Sequence, residues 1–365
     1  MRYNIIAGIG GIGKGMLFHT DTDAPLGRSE SRLAELSGAK DYCKLHIVFH
    51  YVAALLARQA TVYPIGFVGR DAHGAELLEE LGTGGMELTY VGADPSLPTM
   101  VSVCLQYPDK ETCNFTASNS ACTLVTPEYA RRCMGRIGIG PSAIVAALPE
   151  VPLESRVQAL RYGTEKGAYR VLSVPASEAG AFLDSGALKD CDLLAVNLEE
   201  AAALVRRIGE KCEARAPAAP PAQTANNIGI DVKTLSLGLF RHLSGLSPGA
   251  ALLVTFGRGG AYTVSANRAE YVPCLPAEAV NTTGAGDAFL GGVIAGLAMG
   301  MPFQKGSSDA AFGATPLASA AELGAACAGM SVEASDTIAK NIDRRSVSKR
   351  IDRLGCGRRE WFLND

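Results

Sequence analysis

The chain of 365 residues contains no stretch of 18 apolar residues free of breakers, so it offers no transmembrane helix. The apolar run before its first glycine cluster, Met1 to Ala7, is too short for the core of a secretory signal. An excess of one charge is also missing: 34 Lys and Arg stand against 37 Asp and Glu, a net −3, which argues against a general nucleic-acid binder. With 47% hydrophobic residues the chain can bury a sizeable core, which excludes a disordered one. CxxC spacing is absent among the ten cysteines, and a chain of this length needs no staples, so reduced, mostly buried thiols in a cytoplasm are expected in place of a disulfide framework or a zinc site. No internal repeat occurs. Glycine, by contrast, is abundant at 41 residues without a period, as expected of tight turns and loops that let a ligand approach the backbone.

Short apolar runs alternate with helical patterns. Residues 3–8, 61–69, 142–149, 169–176, 191–197 and 251–257 read as strands, and 44–60 and 72–81 as helices. Such alternation predicts a parallel sheet covered by helices on both faces. Residues 99–118 read as a hairpin turning at Pro108-Asp109-Lys110 and able to stand outside the main sheet. The Ala/Pro-rich stretch at about 212–230 reads as a surface excursion, 302–320 as irregular, and the basic tail 341–365 as a solvated terminal helix.

Two N-terminal patterns invite functional readings. Gly8-Ile9-Gly10-Gly11-Ile12-Gly13 matches GxGxxG, which would make the protein an NAD(P)-dependent oxidoreductase. The following residues lack a convincing first helical turn, and Gly15 stands where a Walker A loop needs Ser or Thr; a glycine-rich strand end is the plainer reading. His46 and His50 lie four apart on a helix without an acidic third ligand, which favours hydrogen-bonded core histidines over a metal pair.

The strongest chemical signal is Asn281-Thr282-Thr283-Gly284-Ala285-Gly286-Asp287-Ala288-Phe289, which opens an apolar helical run. Gly-Ala-Gly at a helix N-terminus exposes backbone N–H groups that gather an anion, and small residues let a phosphate come close. Asp287 follows in the first turn. Phosphoryl transfer to an alcohol needs such a cradle, Mg²⁺ on the phosphates, and a carboxylate to orient and deprotonate the hydroxyl.

Thr282 to Phe289 resembles the C-terminal signature D-T-x-G-A-G-D-x-F of the PfkB (ribokinase-like) carbohydrate kinase family. Further resemblances follow in the family's order over roughly residues 50 to 335: Ile65 to Gly74 is similar to I-G-x-V-G-x-D-x-x-G, Asn197-Leu198-Glu199-Glu200 to N-x-x-E, Val254 to Gly260 to V-T-x-G-x-x-G, and Gly324 to Val332 to the adenine-flanking helix. The resemblance implies a three-layer α/β/α fold with a mainly parallel central sheet and a small β-sheet lid, about 88–118, within a kinase domain spanning 1–340. It implies a phosphotransferase with ATP and Mg²⁺, acting on a hydroxyl of a small sugar or polyol, free or already bearing a phosphate or carboxylate. Asp287 would be the base and Gly284, Ala285 and Gly286 the anion hole. Thr283, Asn197, Thr255, Gly257 and Gly260 would meet the nucleotide, with Glu200 organising the metal. A homodimer joined through the lid is also implied.

Departures from the family pattern fall on the acceptor side. The first strand usually ends G-x-x-N-x-D, but Gly8 to Gly13 offers no carboxylate. The usual G-G-x-x-x-N stretch is replaced by Asp41 to His50, with His50 near the Asn position. Candidate acceptor contacts are therefore Glu150, which resembles the Glu of E-x-P, together with His50, Arg28 and Arg32, the arginines being suited to an anionic group; a solvated helix start capped by Ser29 is the alternative for the last two. Asn281 replaces an Asp whose carboxylate helps hold a monovalent cation, K⁺. Because the acceptor clamp is altered, a non-catalytic sugar- or nucleotide-binding regulator stays beside the enzyme as an alternative.

Overall fold

The computed structural model describes residues 1–109, 112–212, 231–266, 268–305 and 317–353. Most of the Ala/Pro-rich stretch, residues 306–316 of the irregular one and the tail beyond Arg353 lie outside the described residues. The chain begins with β1 (Ile5–Ile9), β2 (Gly13–His19), β3 (Glu35–Leu36) and β4 (Asp41–Tyr42), then α1 (Lys44–Leu56), β5 (Thr61–Gly69), α2 (Ala72–Thr83) and β6 (Val91–Asp94). A hairpin of β7 (Met100–Gln106) and β8 (Thr112–Thr116) precedes α3 (Pro127–Ile137), β9 (Ala143–Ala147), α4 (Leu153–Lys166), β10 (Tyr169–Leu172), α5 (Ala179–Ser185) and β11 (Leu193–Asn197). The remainder comprises α6 (Leu198–Cys212), α7 (Val232–Leu246), β12 (Ala251–Thr255), β13 (Ala261–Ser265), β14 (Arg268–Val272), α8 (Ala285–Met299), α9 (Ala320–Ser331) and α10 (Arg344–Arg353).

Nine strands form one sheet in the order β14-β13-β12-β11-β10-β9-β1-β5-β6. Pairing is parallel from β12 to β6 and antiparallel only at the β12-β13-β14 edge. Burial on both faces explains the unbroken apolar runs: all five residues of β9 are buried. One face is covered by α1, α2, α8, α9 and α10, through residues such as Phe49, Leu77, Phe289, Leu323 and Val347. The other carries α3 to α7, through Met134, Leu160, Phe182, Leu204 and Leu239. The three-layer architecture is as expected.

A second sheet of five strands is ordered β3-β2-β7-β8, with β4 also paired to β2. The hairpin expected at 99–118 is there, but the lid is larger than that hairpin and differently bounded. Its central strand is β2, which pairs in parallel with β7, whereas β6, inside the 88–118 span, pairs with β5 in the large sheet.

This pairing also corrects the dinucleotide reading. A pyrophosphate fingerprint needs a helix after its glycines, and here β1 runs into the strand β2. Residues 27–34 form a turn and irregular backbone, not the expected capped helix start. Cys43, Cys104, Cys113, Cys122, Cys133, Cys191, Cys274 and Cys327 are free, and six of these are buried. Among the described residues no helix is long and apolar enough to cross a membrane.

Candidate active site

The segment before α8 is shaped to expose backbone donors. Gly284 adopts φ 80° and ψ −5°, left-handed values that a side chain resists. A Cβ there would also stand 2.8 Å from the Thr337 carbonyl oxygen, so two demands select glycine. The helix starts at Ala285, and first-turn N–H groups have no preceding carbonyl inside a helix, which leaves them available to an anion at the positive end of the macrodipole. Asn281 shapes the turn: its Oδ1 accepts from the Thr283 N–H at 3.0 Å and its Nδ2 donates to the Ser335 carbonyl at 3.0 Å. The Thr283 hydroxyl is buried in the same turn without a hydrogen-bond partner.

The C-terminal ends of the central strands converge here, where open parallel sheets hold ligands. Asn197 ends β11 opposite Thr255 at the end of β12. A Cβ on Gly286 would lie 3.4 Å from the Thr255 hydroxyl oxygen, so the Gly-Ala-Gly turn and this strand pair share one mouth. Asn197 and Glu200 bond reciprocally: Glu200 N donates to Asn197 Oδ1 and Asn197 N to Glu200 Oε2, each at 2.8 Å. The N-x-x-E spacing thereby caps the start of α6 and fixes the Glu200 carboxylate through one oxygen. Burial raises the pKa of that carboxyl group, and the nearby Lys44 charge opposes the rise.

Asp287 Oδ1 forms an ion pair with Lys44 Nζ at 3.1 Å, and Lys44 Nζ donates to the Ser173 hydroxyl at 3.0 Å. Lys44 opens α1, a helix with no acidic residue in its first turn, at the end where the macrodipole disfavours a cation. Burial lowers its affinity for a proton, but the carboxylates of Asp287 and Glu200 outweigh that and raise its pKa. Glu150 follows β9 with φ 73°, and its Oε2 is buried without a hydrogen-bond partner. Burial first, then the Asp287 charge, push its pKa up to about 7 against the opposing Lys44.

Asp287, Gly284, Ala285, Gly286, Thr283, Thr255, Asn197, Glu200 and Glu150 thus gather around one mouth. Gly257 lies beside it in an exposed turn. Gly260 closes that turn, where a Cβ would stand 2.3 Å from the Val272 carbonyl oxygen. Three expected acceptor contacts stand apart from this group. His50 lies six residues beyond Lys44, about 9 Å of helical rise, and its Nε2 meets the Ala339 carbonyl at 3.1 Å. Arg32 pairs with Glu30 and donates to the Ala24 carbonyl at 2.7 Å, and Arg28 is exposed in the same loop. His46 is buried with its ring 4.2 Å from that of Tyr42. Sequence reasoning missed Lys44, Ser173 and Asp41; a lone lysine at the N-terminus of an apolar helix was the available sign for the first.

The model of the pfkB family carbohydrate kinases matches residues 242–344, the segment that carries this turn. A ribokinase from Schizosaccharomyces pombe is 29% identical over 248 residues, 68% of this chain and 70% of that one. Among solved structures, the ribokinase of Giardia lamblia superposes with a TM-score of 0.73 at 17% identity, over 94% of this chain and 99% of that one. An Escherichia coli structure assigned as a ribokinase II, in complex with ATP and Mg²⁺, gives 0.67 at 16% identity over 95% and 99%. The structural likeness carries the fold, the ribokinase relative resembles the chain in sequence across two thirds of its length, and the turn at α8 lies inside the segment over which the chain is similar to the pfkB family of carbohydrate kinases.

Proposed function

We propose that the protein transfers the γ-phosphate of ATP to a hydroxyl of a small polyhydroxylated acceptor, with Asp287 as general base and the Gly284-Ala285-Gly286 turn as anion hole. The observation that carries this reading is the position of Asp287 in the first turn of α8, one residue beyond Gly286, which faces Thr255 at the mouth shared with Asn197. In the step itself the acceptor hydroxyl gives its proton to the Asp287 carboxylate as its oxygen bonds to the γ-phosphorus, and the bond from that phosphorus to the ADP oxygen breaks. N–H groups at the helix start meet the charge on the transferred group. Lys44, held by Ser173, keeps a positive charge beside Asp287.

The donor set suits a hard divalent ion reached through water: Glu200 is fixed by one oxygen, and among the described residues no group of three His, Cys, Asp or Glu could hold a metal alone. Asn197 and Glu200 would hold Mg²⁺, which when bound offsets phosphate charge. A K⁺ ion would meet an amide at Asn281, already donated to Ser335, and has no part in this reading. Met16, Leu36 and Phe115 point outward from the small sheet and support pairing of two copies through it; the free thiols suit a reducing cytoplasm.

Asp287→Asn tests the reading. Turnover is expected to fall by roughly 10²–10⁴, while the stabilisation given by ATP–Mg²⁺ in thermal melts stays. Unchanged turnover would remove Asp287 from the role of base.

A further inference from the structure

We propose that Asp41 joins Glu150, the acceptor contact expected from the sequence, in clamping the acceptor of this kinase and that the acceptor is an uncharged sugar or polyol. This deepens the phosphotransfer reading and rests on it.

The turn from β1 to β2 presents only Gly10, Gly11 and Ile12, none with a polar side chain. A carboxylate enters instead from β4. Asp41 pairs with Gly15 of β2, and its side chain lies across the bare Cα of that glycine: a Cβ on Gly15 would stand 1.9 Å from Asp41 Oδ2. Asp41 is only 6% exposed, and its Oδ1 accepts from the Tyr42 N–H at 2.9 Å. Its strand is tied to the segment that abuts the anion hole. Lys40 N donates to Asp336 Oδ1 at 2.8 Å, and Thr337 N donates to the Lys40 carbonyl at 3.0 Å. Thr337 is the residue whose carbonyl lies against Gly284.

Glu150 approaches from the end of β9. Its Oε2 occupies space left open at Gly11, where a Cβ would be 2.9 Å away, and it is buried with no hydrogen-bond partner. A buried acceptor without a donor is a place for a ligand O–H. The carboxyl groups lie close together: besides burial, the Asp287 charge raises the proton affinity of both Asp41 and Glu150, and Asp41 that of Glu150. Against them stands Lys44, whose charge is engaged by Asp287. Arg28 and Arg32 remain on the exposed loop. Such a chamber repels a phosphate or carboxylate on the acceptor and accepts hydroxyl protons; adjacent hydroxyls can donate together to one carboxylate.

The test uses the full chain with ATP–Mg²⁺ and a panel of D-ribose, D-fructose, D-glucose, ribitol and myo-inositol beside ribose 5-phosphate, fructose 6-phosphate and gluconate, with product followed by mass. Turnover is expected only among the neutral members. For an accepted one, Asp41→Asn should raise the acceptor KM at least tenfold with kcat within threefold and the KM for ATP within twofold. Gly15→Ala, which crowds the Asp41 carboxylate, should act in the same direction. Preference for an anionic member, or an acceptor KM unmoved in Asp41→Asn, overturns the clamp while leaving the kinase reading in place. No ATP consumption with any acceptor overturns both.

Discussion

At the scale of single residues, the site combines acids whose proton affinity is raised with a lysine that is kept charged. Glu150 and Asp41 have pKa values raised to about 7 and about 6 by burial and neighbouring charge. The folded protein therefore holds protons that the unfolded chain has already released, and stability falls as pH rises between roughly 4 and 7. Replacing Glu150 with Gln removes one such group. Relative to the parent, Glu150→Gln should gain stability from pH 5 to pH 8, by up to roughly 3 kcal/mol, while losing acceptor affinity. Urea titrations at both pH values check this, and a pH-independent difference would mean that Glu150 titrates normally. The cost of keeping Glu150 ionisable in the parent is the kind of strain that functional sites retain. Its φ of 73° is a second sign of the same kind, since a non-glycine residue in that region is held there by its surroundings.

At the scale of elements, precision comes from close contacts made by small residues. The packing of α8 on α9 depends on glycines: a Cβ on Gly292 would stand 2.8 Å from the Gly324 Cα and 2.9 Å from the Leu323 carbonyl oxygen. Since α8 carries Asp287, separating the two helices would move the base. Gly292→Val is expected to destabilise by about 1–3 kcal/mol and to lower turnover by more than the lost folded fraction, measured by chemical denaturation beside initial rates; equal losses would show that α8 tolerates displacement. The lid is fastened through its own elements. Asp71 Oδ1 accepts from Gly74 N at 2.8 Å and from the Thr99 hydroxyl at 2.7 Å, its Oδ2 from Thr99 N at 2.8 Å, and Lys14 of β2 reaches Glu76 of α2 at 2.7 Å. The aspartate of the I-G-x-V-G-x-D-x-x-G stretch thus has an architectural part, joining the end of β5, the start of α2 and the entry to β7.

At the scale of the whole molecule, two sheets of unequal burial meet over the site. All of β9 is buried in the large sheet, whereas four of the five residues of β8 are exposed. Amide hydrogen exchange should therefore be fastest, among the strands, in the small sheet, and a neutral acceptor with ATP–Mg²⁺ should slow it there by roughly tenfold or more as the lid closes. Exchange in the lid that ignores both ligands would separate it from the site. The sequence by itself determined the parallel architecture and the chemical turn at Thr282 to Phe289, because those signals depend on neighbours in the chain: apolar runs for buried strands, glycines and an aspartate for a helix start; Asn197 and Thr255 stood out only through the resemblance to a family pattern. The tertiary structure decided the rest. Asp41 with Lys44, Glu150, Ser173 and Asp287 come from four separate stretches of the chain, and no local pattern states that β4 will pair with β2 or that the glycines of the first turn leave room for acids arriving from elsewhere. Charge and burial act through space, so on the acceptor side Glu150 was legible in the sequence while Asp41 and Lys44 became so only once those strands were paired.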